Sequence, residues 1–254
     1  MDDDKKTKLA EFAAAAVRAT FGALGAVDPH LALVAPLISE VVTSIIPRQR
    51  VERIEHLTAE LATQVSSMDE EKVKQRFGEP GFVDLLEDGL WQATRATSEE
   101  RIKQIATLLK NGLSNEDVNA LQYKTLMGLL GQLNDAEIIM LQSLALIDNR
   151  ERQALYEKQP NVLMPVPAYM GSPREDVDKN AIHDNYRAHL RRLGLAKFRY
   201  REPKRGEMPE IDYKTRMVKS SSTDATWLGR YLLRVIGLEE DKSQNAEQPA
   251  TLPY

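Results

Sequence analysis

Helical periodicity runs through the first 160 residues of this chain, and no strand pattern interrupts it. The clearest example follows Pro47, where apolar residues recur every three or four positions between charged ones. This stripe predicts an amphipathic helix that buries one face, formed by Val51, Ile54, Leu57, Leu61 and Val65. Further helices are predicted at about 9–24, 31–46, 82–96, 99–113, 116–133, 138–147 and 150–158. The stretch 68–80 is interpreted as a polar joint.

Several of these helices carry N-terminal caps that can be recognised in the sequence. A side-chain oxygen followed three residues later by an acid satisfies the unpaired amides at a helix start. The pairs with this spacing are Thr97 with Glu100, Ser114 with Asp117, and Asn134 with Glu137. They fix the expected starts of three consecutive helices.

Beyond residue 160 the pattern changes once from helical to alternating. A proline-rich loop at 159–173 precedes a helix at about 177–193, with Ile182, Tyr186, Leu190 and Leu193 on its predicted buried face. Charged and aromatic residues then alternate over 197–201 and resume over 211–217 after a turn at 203–209. These two stretches predict the two strands of a hairpin, followed by a helix at about 225–236. We expect either Phe198 or Tyr200 to point inward and the other to point outward.

The order of elements from Asn134 onward is helix, helix, loop, helix, hairpin, helix. The third helix enters the hairpin through Leu190-Arg191-Arg192-Leu193-Gly194-Leu195, and the last helix contains Thr226-Trp227-Leu228-Gly229-Arg230-Tyr231-Leu232-Leu233. Over about 134–238 this arrangement resembles the winged helix-turn-helix superfamily. The resemblance implies that the helix at 177–193 is presented to a DNA major groove and that 203–209 is the tip of the wing. The long loop at 159–173 departs from that pattern.

We therefore predict a mainly α fold, in which an N-terminal helical bundle precedes a winged-helix-like α+β module with one two-stranded hairpin. The expected domains are 1–133, 134–238 and a disordered acidic tail at 239–254. The chain has no cysteine, which excludes disulfides, thiolate metal sites and cysteine nucleophiles. The absence of cysteine and of a secretory signal favours the cytoplasm, with membrane association on activation as an alternative.

Positive charge is concentrated in the predicted winged module. Between Arg187 and Lys219 there are eleven Lys or Arg against four Asp or Glu, a net +7, so the rest of the chain carries −11 within a total of −4. Cations on one continuous face would neutralise nucleic-acid phosphates and release counterions. We predict DNA or RNA contacts from Arg187, Arg191, Arg192, Lys197, Arg199, Arg201, Lys204, Arg205, Lys214 and Arg216. The alternative is that the basic hairpin faces an acidic protein partner.

The N-terminal stretch at 9–46 is strongly apolar and predicts a helical hairpin. Neither half reaches the roughly 18 uncharged residues of a spanning helix, which favours a bundle core or an oligomer interface. The alternative is a conditional membrane-perturbing element, held soluble until activation. Both interpretations use the same side chains, namely Leu31, Leu33, Val34, Leu37, Ile38, Val41, Val42 and Ile45.

No motif of a known catalytic or metal site is present in the sequence, so we predict no catalytic residues, no metal and no cofactor. Trp91, Trp227, Tyr186, Phe198 and Tyr200 could stack on single-stranded bases, although core packing is expected for most of them. The combined prediction is a non-enzymatic adaptor or regulator that oligomerises or binds a partner through its helical part and contacts nucleic acid through the basic module. The alternatives are a membrane-perturbing effector and a purely protein-binding module. The architecture also resembles accessory or effector proteins of bacterial defence systems.

Overall fold

The computed structural model describes residues 48–114, 120–164, 168–201, 203, 208–212 and 216–239. Over these residues the chain forms ten helices and one two-stranded antiparallel sheet, which confirms the mainly α fold. The apolar stretch 9–46 and the tail 240–254 lie outside the described residues. The chain divides into two compact units, unit 1 (1–132 with 235–237) and unit 2 (133–234 with 238–254). Among the described residues, no helix combines the length and apolar character needed to cross a bilayer.

The described helices of unit 1 are α1 (Arg48–Val65), α2 (Glu70–Phe77), α3 (Pro80–Ala93), α4 (Glu99–Ser114) and α5 (Ala120–Gln132). The apolar stripe of α1 is buried as predicted, and α1 packs mainly against α4. The other face of this core is α3, which contacts both α4 and α5. These amphipathic helices bury their apolar stripes against one another, and this burial of one face produces the helical period of apolar residues in the sequence.

Helix α2 corrects the interpretation of 68–80 as a joint. Asp69 caps it by accepting hydrogen bonds from the amides of Glu71 and Lys72, at 2.9 and 3.3 Å. The helix is short and polar, and only Val73 and Phe77 bury their side chains. Two apolar positions are too few to reveal a helical period in the sequence.

Three arginines in unit 1 donate hydrogen bonds to carbonyl groups at the C-terminal ends of other helices. Arg53 donates to the carbonyl of Thr94 at the end of α3, at 2.9 Å, and Arg101 donates to Leu130 in the last turn of α5, at 3.0 Å. Arg76 donates to Gly112 in the last turn of α4, at 2.9 Å. The last carbonyls of a helix have no partner within it and carry partial negative charge. These guanidinium groups therefore stabilise the bundle.

Unit 2 contains α6 (Asp135–Ala145), α7 (Asn149–Lys158), α8 (Pro160–Leu163), α9 (Arg174–Arg192), β1 (Ala196–Tyr200), β2 (Ser220–Ala225) and most of α10 (Trp227–Val235). The short α8 lies inside the segment predicted as a proline-rich loop. Helix α6 is the central element, since α7, α8, α9 and β2 all contact it.

The predicted cap at Asn134 is confirmed and has a second role. The Asn134 side chain accepts from the Glu137 amide at 2.8 Å, and Glu137 Oε2 accepts from the Asn134 amide at 2.9 Å. The other carboxylate oxygen, Oε1, lies 2.7 Å from Nδ1 of His189 on α9. The buried Glu137 therefore both starts α6 and joins α9 to it. The predicted cap at Thr97 is shifted by one residue, because Ser98 Oγ accepts from the Arg101 amide at 3.2 Å.

A single joint connects α9, β1 and α10. Gly194 adopts a positive φ of 71° and donates to the Arg191 carbonyl, while the Leu195 amide reaches back to the Leu190 carbonyl, each at 3.0 Å. These are the two bonds of a Schellman helix end, in which glycine avoids the strain of a left-handed residue. Thr226 donates from its amide to Leu195, at 2.9 Å, and from its hydroxyl to Gly194, at 2.6 Å. This bonding explains the Leu-Gly-Leu sequence.

The hairpin exists, but its second strand is not the predicted one. Strand β1 pairs antiparallel with β2, in the register Ala196 with Ala225 and Phe198 with Thr223. The predicted partner, 211–217, is wrong, because Ile211 forms only an isolated bridge with Val218. Strand β2 is Ser-Ser-Ser-Thr-Asp-Ala, a sequence without the apolar alternation that identifies a strand. Its pairing depends on backbone bonds that side-chain patterns do not encode.

The buried face predicted for the helix at 177–193 is only partly correct. Leu190 is buried, while Tyr186 and Leu193 are half-buried and Ile182 is 53% exposed. Helix α9 therefore packs mainly through its C-terminal half, which is the half that enters the joint at Gly194.

Candidate nucleic-acid interface

A cleft of about 570 Å³ lies between the C-terminal half of α9 and the hairpin, within unit 2. One wall is helical, and Asp184, Arg187 and Arg191 share it because positions three and four apart lie on one face of a helix. Phe198 of β1 and residues 220–223 of β2 complete the lining. The lining residues are Asp184, Arg187, Ala188, Arg191, Phe198, Ser220, Ser221, Ser222 and Thr223.

Arg191 is held against an aromatic ring in this cleft. Its guanidinium carbon lies 4.3 Å from the centroid of the Phe198 ring, a cation–π contact. Phe198 is in turn 6.2 Å from Tyr200, with the rings tilted by 60°. Phe198 and Tyr200 are 40% and 48% exposed. The cleft therefore presents a positioned cation against the accessible Phe198 ring, and the Tyr200 ring lies next to Phe198 outside the lining.

The expectation that Phe198 and Tyr200 point in opposite directions is wrong. Residues two apart in a strand lie on the same face, and the contact between the two rings places both on the face toward α9. Core packing was expected for most of the five aromatic residues named above, but Trp227 is 82% exposed and does not lie in the core. Trp91 is likewise exposed, and Tyr186 is half-buried.

The predicted cations that the structure describes do not lie on one continuous face. Lys197 and Arg199 alternate with Phe198, so they lie on the other side of the hairpin from the cleft. There, Arg199 Nε lies 2.9 Å from Asp224 Oδ2, and Ser222 Oγ donates to the other carboxylate oxygen at 3.1 Å. The carboxylate offsets part of the positive charge on that side.

The remaining predicted contacts are dispersed. Arg192 is exposed at the end of α9, and Arg201 follows β1. Arg216 has a positive φ of 57°, and its amide donates to the Asp212 carbonyl at 2.7 Å. Lys204, Arg205 and Lys214 lie outside the described residues. Among the predicted cations that the structure describes, Arg187 and Arg191 are the ones that line the cleft.

The charges of α9 are divided along its length. Its first five residues include the acids Glu175, Asp176 and Asp178, while its last turn contains Arg191 and Arg192. Glu175 forms an ion pair with Lys179 at 2.6 Å, and this hydrogen bond and charge lower the pKa of Glu175 and raise that of Lys179. The sequence contains these acids, but counting charge only from Arg187 onward omitted them.

His183 lies one helical turn before Arg187. Partial burial lowers the pKa of His183, the positive charge of Arg187 lowers it further, and Asp184 opposes both effects. The neutral imidazole is therefore favoured, and its protonation is sensitive to whatever neutralises Arg187.

The hydroxyl run of β2 is the part of the lining that sequence reasoning missed. Ser221 Oγ donates to the Arg199 carbonyl at 2.9 Å, so this side chain also ties β2 to β1 near the bulge between Arg199 and Tyr200. The available signal was the unusual sequence Ser-Ser-Ser-Thr itself, which supplies adjacent neutral hydrogen-bond donors. Among the described residues, no three His, Asp or Glu side chains are grouped to hold a metal ion.

No family model, curated protein or solved structure matches the chain. The chemistry of the cleft is therefore the basis for assigning a function.

Proposed function

We propose that this chain is a non-enzymatic adaptor or regulator that contacts the phosphates of nucleic acid through the cleft of unit 2. The observation that carries the proposal is the placement of Arg187 and Arg191 on one face of α9, across a cleft from residues 220–223 of the serine- and threonine-rich strand β2. Guanidinium groups form strong, charge-assisted bonds with phosphate oxygens, and serine or threonine hydroxyls add neutral donors.

The cleft also favours an extended anion over a small isolated one. Asp184 lies on the same wall as the two arginines, so the lining carries a net charge of only +1. Such a lining contributes modest attraction per phosphate, and a chain of phosphates crossing it would gain from the neighbouring exposed Arg192 as well.

The helical part is proposed to self-associate or to bind a protein partner. The residues assigned to this role, Leu31 to Ile45, lie outside the described residues, so this part of the proposal is supported by the sequence alone. The membrane-perturbing alternative depends on the same stretch.

A purely protein-binding role is the second candidate, and one observation favours it. Trp227 at the start of α10 is 82% exposed and is not part of the cleft lining. Large exposed aromatic side chains are enriched at protein interfaces. This candidate would leave the cleft without a nucleic-acid ligand.

Fluorescence anisotropy with charge-reversed variants tests the proposal. The purified full chain is titrated into labelled DNA and RNA, as single strands and duplexes, at several salt concentrations. Arg187→Glu/Arg191→Glu is expected to weaken binding at least tenfold. Loss of two phosphate contacts should also reduce the slope of log affinity against log salt by about 1.4 to 1.8.

A matched control is available at positions of the same unit that do not line the cleft. Arg150→Glu/Arg174→Glu makes the same change of net charge at exposed first-turn positions of α7 and α9, where a carboxylate is favoured by the helix dipole. Its binding should stay close to that of the unmodified chain. Equal losses in both double variants would contradict a role for the cleft, and absence of binding in the unmodified chain at low salt would refute the proposal.

A further inference from the structure

We infer that the cleft accepts a single strand of nucleic acid, with a base stacked on Tyr200 and the adjacent phosphate at Arg187 and Arg191, and does not dock α9 in a duplex groove. This inference rests on the proposed function and specifies the form of its ligand. Three independent features of unit 2 support it: the charge of α9, the accessibility of the rings and the size of the cleft.

The charge along α9 opposes insertion into a major groove. In the docking that the sequence resemblance implies, the first residues of the recognition helix approach the base edges between two phosphate backbones. Here the first five residues carry one cation, Arg174, and three acids, Glu175, Asp176 and Asp178, a net charge of −2 that duplex phosphates would repel. Lys179 follows and pairs with Glu175, whereas Arg187 and Arg191 lie toward the opposite end of the helix and face the hairpin.

The aromatic rings favour unpaired bases. Phe198 and Tyr200 lie on the face of β1 that Arg191 contacts, and both keep a large fraction of their surface exposed. A ring at this position can stack on the face of an unpaired base, whereas the base faces of a duplex are already covered by their neighbours. The Arg191 guanidinium over Phe198 supplies a second planar surface for stacking.

The dimensions and lining of the cleft fit a nucleotide. Its volume of about 570 Å³ lies within the range of about 300 to 1,000 Å³ that is typical of small-ligand sites. Residues 220–223 form the β2 side of the same cleft, and Thr223 pairs directly with Phe198, so its hydroxyl lies on the same face of the hairpin as the Phe198 ring. Hydroxyls can donate to or accept from sugar, phosphate and base edges, so they fit a ligand without a fixed sequence.

Competing strand forms test the inference. A short mixed-sequence DNA strand, the same strand annealed to its complement, and the RNA of the same sequence are each titrated with the full chain by anisotropy. The single strands are expected to bind at least fivefold more tightly than the duplex. Tyr200→Ala should weaken single-strand binding by about 5- to 100-fold with an unchanged salt slope, because stacking carries no charge.

Trp227→Ala is the matched control, since Trp227 is a larger and more exposed aromatic residue at the start of α10, whereas the Tyr200 ring contacts Phe198 in the cleft lining. It should leave single-strand affinity unchanged. Preference for the duplex, or equal affinities of Tyr200→Ala and Trp227→Ala, would overturn the single-strand inference while leaving nucleic-acid binding intact. Absence of binding to every strand form would overturn both.

Discussion

Gly229→Ala tests whether α10 crosses the joint at Leu195 as closely as the structure indicates. A Cβ added at Gly229 would lie 2.3 Å from the Leu195 carbonyl oxygen, and real Cβ contacts are essentially never under 3.0 Å. The carbonyl would therefore have to retreat by at least 0.7 Å, the difference between these distances. That oxygen also accepts the 2.9 Å hydrogen bond from the Thr226 amide.

The expected change in the free energy of unfolding is the sum of two losses and one gain. Overpacking costs about 1 to 3 kcal/mol, weakening the Thr226 hydrogen bond adds about 1, and the better helix propensity of alanine returns about 1. We expect a net loss of about 1 to 3 kcal/mol in the free energy of unfolding, measured by urea denaturation followed by circular dichroism.

Gly128→Ala provides a control of opposite sign. Gly128 lies within α5, and no atom lies within 4 Å of its added Cβ. Alanine there should stabilise the chain by about 0.5 to 1 kcal/mol through helix propensity alone. If Gly229→Ala were as stabilising as Gly128→Ala, the close crossing of α10 over Leu195 would be refuted.

Two further predictions concern α9. Glu137→Ala removes half of the capping box and the His189 contact, and should cost about 1 to 3 kcal/mol in urea denaturation; the exposed Glu157→Ala should cost no more than about 0.5. A loss in Glu137→Ala no larger than that control would contradict the joining role. By NMR titration, the pKa of His183 should lie below the ordinary value of about 6.5, rise partway toward it in Arg187→Ala, and rise on binding of a DNA strand. Because the folded pKa is lowered, the His183 contribution to stability is present above about pH 6.5 and declines as the pH falls below it. An unchanged His183 titration in Arg187→Ala would argue against their electrostatic contact.

The features that could be predicted from the sequence are those determined over a few neighbouring residues. The capping box of Asn134 and Glu137 spans one helical turn, and the stripe of α1 repeats at a period that only a helix satisfies. The cap at Ser98 was missed by a single position because Thr97 offers the same chemistry.

The features that could not be predicted depend on long-range pairing. Strand β2 was not recognised because serine runs lack the alternation that marks a strand, and its partner lies about twenty residues earlier. The alternation over 197–201 already places Phe198 and Arg199 on opposite sides of the hairpin, and the pairing adds only that Asp224 lies beside Arg199. For the cleft, sequence reasoning named Arg187 and Arg191 but not residues 220–223 of β2 in the opposite wall.

The joint at Gly194 also has an energetic consequence for any ligand of the cleft. Arg191 precedes Gly194 by three residues and Phe198 follows it by four, so the backbone bonds of this turn set the distance between guanidinium and ring. Immobilising such side chains on binding usually costs about 0.5 to 1.5 kcal/mol each. Here folding has already met that entropic cost, so a residue such as Thr226, which never touches the ligand, influences how tightly the ligand is held.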